Sequence, residues 1–333
     1  MSAENLKEFE FFNPNSVAIV SITHYPRWYA GPAEVSNTDK TRGDIALQGI
    51  QQANNLGFRV VIADSPQSSS EFKEQLRSLQ NVYLTPRLSS DRVLGWMSGV
   101  RKSFELSSVG AFILTQPEKI EPLTEGCIEA IARPLVQYEA DVVVPKREDN
   151  LFRSTYPDYM YRLEHDDNLY INRLLRGYNL LNTNLNNDSL DYFFGVFAFR
   201  NDPKVLTKIF SEYKFIGKRE GAGKHISLDT SWLAVFEALR YNMKVSSVEI
   251  PFSYPSEQKR NEEDPMTIVD FLKKRYAQRR AIILELVHYI RGFVCNESMK
   301  DTNIDPEILK QLKENAINAP YFPFIKYPWV ENI

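Results

Sequence analysis

Cysteine is nearly missing: Cys127 and Cys295 are the only two in 333 residues. They stand far apart and lack metal-ligand spacing, so neither a disulfide framework nor a cysteine-based zinc site is expected. Long apolar runs are missing too. None approaches the roughly 18 residues of a membrane span, and no span is expected. Charge of one sign is not in excess: 40 Lys and Arg face 43 Asp and Glu, a net of -3. That balance gives no reason to expect nucleic acid as a partner, although local basic clusters could hold a small phosphorylated ligand. The opening "MSAENLKEFEFF" is acidic and has no basic region leading into an apolar core. It does not read as a signal peptide, and a soluble, cytoplasmic protein is expected. Short signatures are lacking as well. "SITHYPRWYAGP" contains neither a glycine-rich dinucleotide fingerprint nor a P-loop, and no G-x-S-x-G elbow occurs. NAD-type Rossmann, NTPase and elbow-serine chemistries are therefore unsupported.

What remains is an ordinary globular chain, 43% hydrophobic and 25% charged, long enough for one large α/β domain with an appendage or for two domains. Aromatics at 12% suit a site that stacks rings or sugars, or a Tyr/Phe-rich core. "SVAIVSITH" reads as a buried strand and "TRGDIALQGIQQANNLGF" as a helix stopped by Gly57. "RVVIADSP" is a strand ending at Asp64, and "SSSEFKEQLRSLQ" is a helix with a capping-box pattern. The strands "NVYLTP", "GAFILT" and "ADVVVPKRED" alternate with the helices "SSDRVLGWMSGVRKSFELS" and "EPLTEGCIEAIARPLVQY". This rhythm, from Ser16 to Asp149, predicts a mostly parallel sheet flanked by helices on both faces. After Asp149 it breaks into a polar, aromatic stretch, an Asn-rich loop, the apolar "DYFFGVFAFRND" and a later helix and strand. From Tyr254 the chain is charged and largely helical. The tail "APYFPFIKYPWVENI" has too many prolines and aromatics for a helix and is expected to wrap over the body. No internal repeat is visible.

In an open parallel sheet ligands lie beyond the carboxyl ends of the strands. That rule selects Thr23, His24, Asp64, Ser65, the run Thr115 to Lys119 and the run Lys146 to Asp149. The glycine-rich start with Arg and Lys of the sugar-1-phosphate nucleotidylyltransferases is absent, which counts against activation of sugars.

The segment order resembles the GT-A nucleotide-sugar glycosyltransferases, and among them the retaining glucosyl-3-phosphoglycerate and mannosylglycerate synthase type. "VSITHYP" is similar to the opening of the nucleotide site, and "RVVIADSP" to the strand whose terminal Asp binds base or ribose. "SDRVLGWMSGVRKSFEL" resembles the G-x-x-x-x-x-G helix before the metal-motif strand. "PLVQYEADVVVPKRED" resembles the strand that ends in Arg. "DYFFGVFAFR" and "HISLDTSWLAVFEALRYNMKVSSVEIPF" are similar to the acceptor-side segment and to the later helix and strand. The resemblance runs from Ser16 to Tyr254. It implies a GT-A-like domain over 1–255, with a nucleotide half at about 16–149 and an acceptor half at about 150–255. A helical C-terminal extension and tail would occupy 256–333.

It also implies a nucleotide-diphosphate sugar donor, a hydroxyl acceptor and a divalent cation held by Asp-x-Asp. Here the corresponding stretch "TQPEKIEPL" departs from that pattern, leaving Glu118 as the charged oxygen ligand beside Lys119. Three readings stay open. Glu118 ligates Mg²⁺ or Mn²⁺ with His225 or Asp229. No metal is used, and Lys119 with Arg101, Lys102 or Arg153 neutralises the diphosphate. Or catalysis is lost, and the chain is a binding or assembly subunit. Pro117-Glu118 as a plain strand-to-helix turn is compatible with all three.

Thr23, His24 and Asp64 are candidates for the nucleoside, with Arg101. Arg147 and Arg153 would clamp phosphate, or pair with Glu148 and Asp149. Tyr156 and Tyr159 would stack on a sugar, or pack. Asp191 and Asp229 would orient the acceptor, and His225 shares a helical face with Asp229; Ser227 or Asp229 would equally serve as a cap. Gly221 and Gly223 suit a lid or simply a loop. The basic "FLKKRYAQRRA" is a solvated face, a phosphorylated-acceptor site or an oligomer contact.

Overall fold

The first strand, β1 (Val17–Thr23), is a run of apolar and β-branched residues buried along both faces, which places it inside a sheet rather than at its edge. In a computed structural model of the chain it pairs in parallel with β2 (Arg59–Asp64) and with β4 (Ala111–Leu114). β2 in turn pairs in parallel with β3 (Val82–Pro86). Beyond β4 the direction changes. β7 (Phe197–Arg200) is antiparallel to both β4 and β5 (Val142–Val143), and β8 (Val245–Ser246) is parallel to β5. The sheet order is β3-β2-β1-β4-β7-β5-β8. The structure describes residues 12–32, 37–87, 92–106, 108–120, 123–177, 180–181, 189–206, 209, 230–266, 268–273 and 275–276.

Alternation along the strands divides the core in two. Ala18, Val20, Val61, Phe112 and Leu114 face one side, under Trp96 and Val100 of α3 (Arg92–Glu105) and Val235 and Leu239 of α8 (Thr230–Arg240). Val17, Ile19, Val60, Ile62 and Ile113 face the other. They lie under α1 (Thr38–Asn55), α2 (Ser70–Arg77) and α4 (Glu125–Val136). The expected α/β class, mostly parallel sheet and flanking helices are all present.

Local sequence accounts for the helix starts. Asn37 caps α1 by accepting from the amides of Asp39 and Lys40, and Thr124 caps α4. The capping box expected at α2 does not form. Ser69 is the cap, Ser68 turns to Asp64, and Glu71 accepts from the amide of Ala30.

The expected single strand over "ADVVVPKRED" is two. β5 stays in the main sheet, while β6 (Lys146–Arg147) pairs with β9 (Glu249–Ile250) in a separate ribbon. Pro145 lies between them and has no N–H to continue a ladder. The polar stretch after Asp149 is helical apart from a break at Tyr156-Pro157, as α5 (Asp149–Thr155) and α6 (Asp158–Gly177). "DPKVLTKIF" keeps only α7 (Pro203–Leu206) as a described α-helix. Past 255, α9 (Ser256–Glu262) is described, and the expected wrapping tail lies outside the described residues. Among the described residues no helix is long and apolar enough to cross a membrane.

Candidate functional site

β1 and β2 end side by side, with Thr23 in register with Asp64. The Thr23 hydroxyl donates to Asp64 Oδ1 at 2.6 Å, and Ser68 Oγ, from the following turn, donates to the same oxygen at 2.7 Å. Asp64 Oδ2 is buried without a hydrogen bond, and Lys73 Nζ stands 3.8 Å from it. So the strand end holds a carboxylate with one oxygen saturated and the other available. His24, the next residue after Thr23, is exposed and joins none of these bonds.

β4 ends in a 3₁₀ turn, Pro117–Lys119, whose fixed proline φ suits its first position. Both charged residues of this turn are buried, and they diverge. Glu118 is 2% exposed and turns toward α1. Its Oε1 accepts from Tyr25 Oη at 2.9 Å and forms an ion pair with Arg42 of α1. Its Oε2 is buried without a partner. Burial, and then the adjacent Glu118 charge, push the Tyr25 phenol up; the same carboxylate raises the Arg42 guanidinium. Lys119 turns the other way. Its ammonium donates to the Phe194 carbonyl and lies 5.5 Å from the centre of the Phe194 ring. Burial pushes it down to about 8; the nearby Glu164 opposes this, while Arg147 and Arg275 add to it. Gly195 is left-handed at φ +70°, and a Cβ there would lie 3.3 Å from Lys119 Nζ. A glycine therefore suits both the turn and the space.

Arg147, at the end of β6, is fully buried. Its Nε and Nη2 donate to the two oxygens of Asp191 at 2.7 and 2.8 Å, and Nη1 donates to Glu164 of α6 at 2.7 Å. The guanidinium lies 3.5 Å from the centre of the Phe152 ring and 4.8 Å from that of Tyr156. All three of its nitrogens are thus engaged inside the protein. The expected pairing with Glu148 and Asp149 is replaced by Asp191 and Glu164, which the turn from α6 into the 192–194 segment brings beneath it. Asp191 also accepts from Asn168 Nδ2 at 2.7 Å and from the Phe194 amide at 3.1 Å. Burial works to raise the Asp191 carboxyl, but the Arg147 charge together with the hydrogen bonds from Arg147 and Asn168 holds the group below its ordinary range.

Two expected cations stand apart. Arg153 is exposed on α5. Arg101 is exposed near the end of α3, which runs from the carboxyl end of β3 back to the amino end of β4, so it lies toward the opposite edge of the sheet from Thr23 and Asp64. Tyr156 and Tyr159 pack inside, Tyr156 on Arg147 and Tyr159 toward Glu262 at 3.4 Å. His225, Asp229, Gly221 and Gly223 lie outside the described residues.

A divalent cation needs several hard oxygen ligands and a net negative site. Among the described residues no three of His, Cys, Asp and Glu come together in that way. Glu118 is the carboxylate at the end of β4, and Arg42 already balances its charge. The described residues do not fit that ion.

Sequence reasoning missed Arg42, Tyr25, Ser68, Glu164 and Asn168. Arg42 was accessible in principle, because α1 leaves the carboxyl end of β1 and its first turns must lie at the ligand edge. Glu164 had no such signal: it is one charge among several on α6.

No family model and no curated protein matches the chain. Among solved structures it is similar to glucosyl-3-phosphoglycerate synthase from Mycobacterium tuberculosis with phosphoglyceric acid, at 11% identity over 82% of this chain and 79% of that one, TM-score 0.48. The same synthase with Mn²⁺, uridine diphosphate and glucosyl-3-phosphoglycerate is similar at 11% identity, over 82% and 79% of the two chains, TM-score 0.47. The 4-diphosphocytidyl-2C-methyl-D-erythritol synthase from Anaerococcus prevotii DSM 20548 is similar at 11% identity, over 77% and 100%, TM-score 0.42. Likenesses of this depth assign no residue and no reaction to the chain.

Proposed function

We propose that the chain binds a nucleotide-diphosphate sugar at the carboxyl edge of its sheet and transfers the sugar, with retention, to a hydroxyl acceptor. The observation that supports this is Asp64 Oδ2, a buried carboxylate oxygen without a hydrogen bond at the end of β2. A buried acceptor left unsatisfied costs about 1–3 kcal/mol, which a polar ligand at this edge would remove. Asp64, supported by Thr23, accepts from ribose or base. The diphosphate lies at the Pro117–Lys119 turn. As the glycosidic bond breaks, the departing diphosphate gains charge, and fixed cations there stabilise it. The Lys119 ammonium, turned to the Phe194 carbonyl and pushed down to about 8, is still mainly charged at neutral pH and adds its field to this end without touching the diphosphate. Positioning and leaving-group stabilisation need no separate nucleophile. Asp229 orients the acceptor, and Asp191 acts through the 192–194 turn that it caps.

A second reading is a binding or assembly subunit without transfer. It is favoured by the mutual commitment of Arg147, Asp191 and Glu164, which leaves those groups no capacity for a substrate. Thermal unfolding with UDP, GDP and their sugars, with and without Mn²⁺, tests both, alongside release of nucleoside diphosphate from the sugar donor. Transfer predicts a rise in Tm together with release. A rise in Tm without release in any condition selects the second reading. No response to any nucleotide overturns transfer and is the outcome that an assembly subunit predicts.

A further inference from the structure

Glu118 ends β4 at the edge where a donor would sit, yet its charge is already balanced. Its partner, Arg42, comes from the second turn of α1, at the same carboxyl edge. The two members of the pair are unequally placed. The Glu118 side chain is 2% exposed and the Arg42 side chain 42% exposed. The carboxylate is therefore buried while the guanidinium is only partly covered, its Nε buried and the rest of the side chain reaching the surface. Tyr25 Oη donates at 2.9 Å to Oε1, the same carboxylate oxygen that Arg42 meets, which helps hold Glu118 and with it the guanidinium in place. Arg42 Nε has no hydrogen-bond partner among the described residues. Lys119, by contrast, is turned inward under the Phe194 carbonyl.

We propose that Arg42, anchored by Glu118 and Tyr25, is the cation that meets the diphosphate of the donor, in the place that a carboxylate-bound metal would take. This rests on the donor-binding reading above. A guanidinium presents parallel donors to phosphoryl oxygens and loses little freedom when it is already held. Glu118 is then a positioning residue: it touches Arg42, not the ligand.

The test is calorimetric binding of UDP and GDP against UMP and GMP to the full chain, in EDTA and in Mn²⁺. A charge-assisted hydrogen bond is worth enough to give the diphosphate a preference of about tenfold or more. That preference should survive EDTA in the parent protein. Because Arg42→Met alone would leave Glu118 buried and unpaired, the decisive variant is Arg42→Met with Glu118→Gln, which removes both charges. It should lose the preference for the diphosphate over the monophosphate, while Arg42→Lys should keep part of it. A preference that vanishes in EDTA, or that persists in the double variant, overturns the role of Arg42 and leaves donor binding standing. Failure of the parent to bind any of the four nucleotides overturns donor binding, and this proposal with it.

Discussion

The ammonium of Lys119 is pushed down to about 8 from 10.5 because burial disfavours its charged form. The folded chain therefore releases this proton before the unfolded chain does. Between about pH 8 and 10.5 the unfolded state holds more protons, and stability from this group rises with pH. Below about 8 both states are protonated and the burial penalty is present in full. The free energy of unfolding of the parent should gain roughly 3 kcal/mol on that of Lys119→Met across this window. Urea titrations of both proteins at several pH values check it; parallel curves would show that the lysine is not held in this way. At this scale legibility was uneven. Thr23 and Asp64 could be read together, because both end strands and neighbouring strands end together. The partners of Lys119 and Arg147 could not, because Phe194, Asp191 and Glu164 arrive from segments 17 to 75 positions away.

Close packing between elements can be tested at Gly99. It lies on α3 where the helix crosses β1, and a Cβ there would sit 2.6 Å from Cγ1 of Val20. The helix and the strand would have to separate. Gly99→Val should cost about 1–3 kcal/mol through overpacking. Gly126, in the first turn of α4, would meet nothing within 4 Å if it carried a Cβ, so Gly126→Ala should be neutral or gain up to about 1 kcal/mol. Thermal melts of the two variants should therefore move apart; equal losses would show that α3 and β1 have room to spare. The elements themselves were largely legible, since strand and helix periods alternate cleanly up to Asp149. The division into β5 and β6 is a sheet-level choice. Pro145 marks the break, but which sheet each half joins depends on β8 and β9, about a hundred residues on.

At the scale of the whole chain, the segment after 255 is tied to the body by Glu262, which is 3% exposed. It accepts from Tyr254 Oη at 3.0 Å and from Tyr159 Oη and Arg275 at 3.4 Å. Glu262→Ala would leave Arg275 and two buried phenols short of an acceptor. A loss of about 1–3 kcal/mol is expected, with faster proteolytic cleavage after residue 255. An unchanged Tm and cleavage rate would mean that the segment is only laid against the body. The sequence suggested a charged, helical extension. It held no sign that one carboxylate of that extension serves Tyr159 and Tyr254, which precede it in the chain.

Composition and periodicity alone determined the α/β class, the mostly parallel sheet and the edge at which ligands should gather. These follow from local preferences and from the rule that strand ends share a crevice. Only the tertiary structure decided what the charged residues at that edge do. Glu118 and Lys119 are neighbours in the chain and face opposite ways, one to Arg42 and the other to the Phe194 carbonyl. A buried charge takes whichever partner the packing brings within reach, and that partner is set by distant segments rather than by the residues beside it.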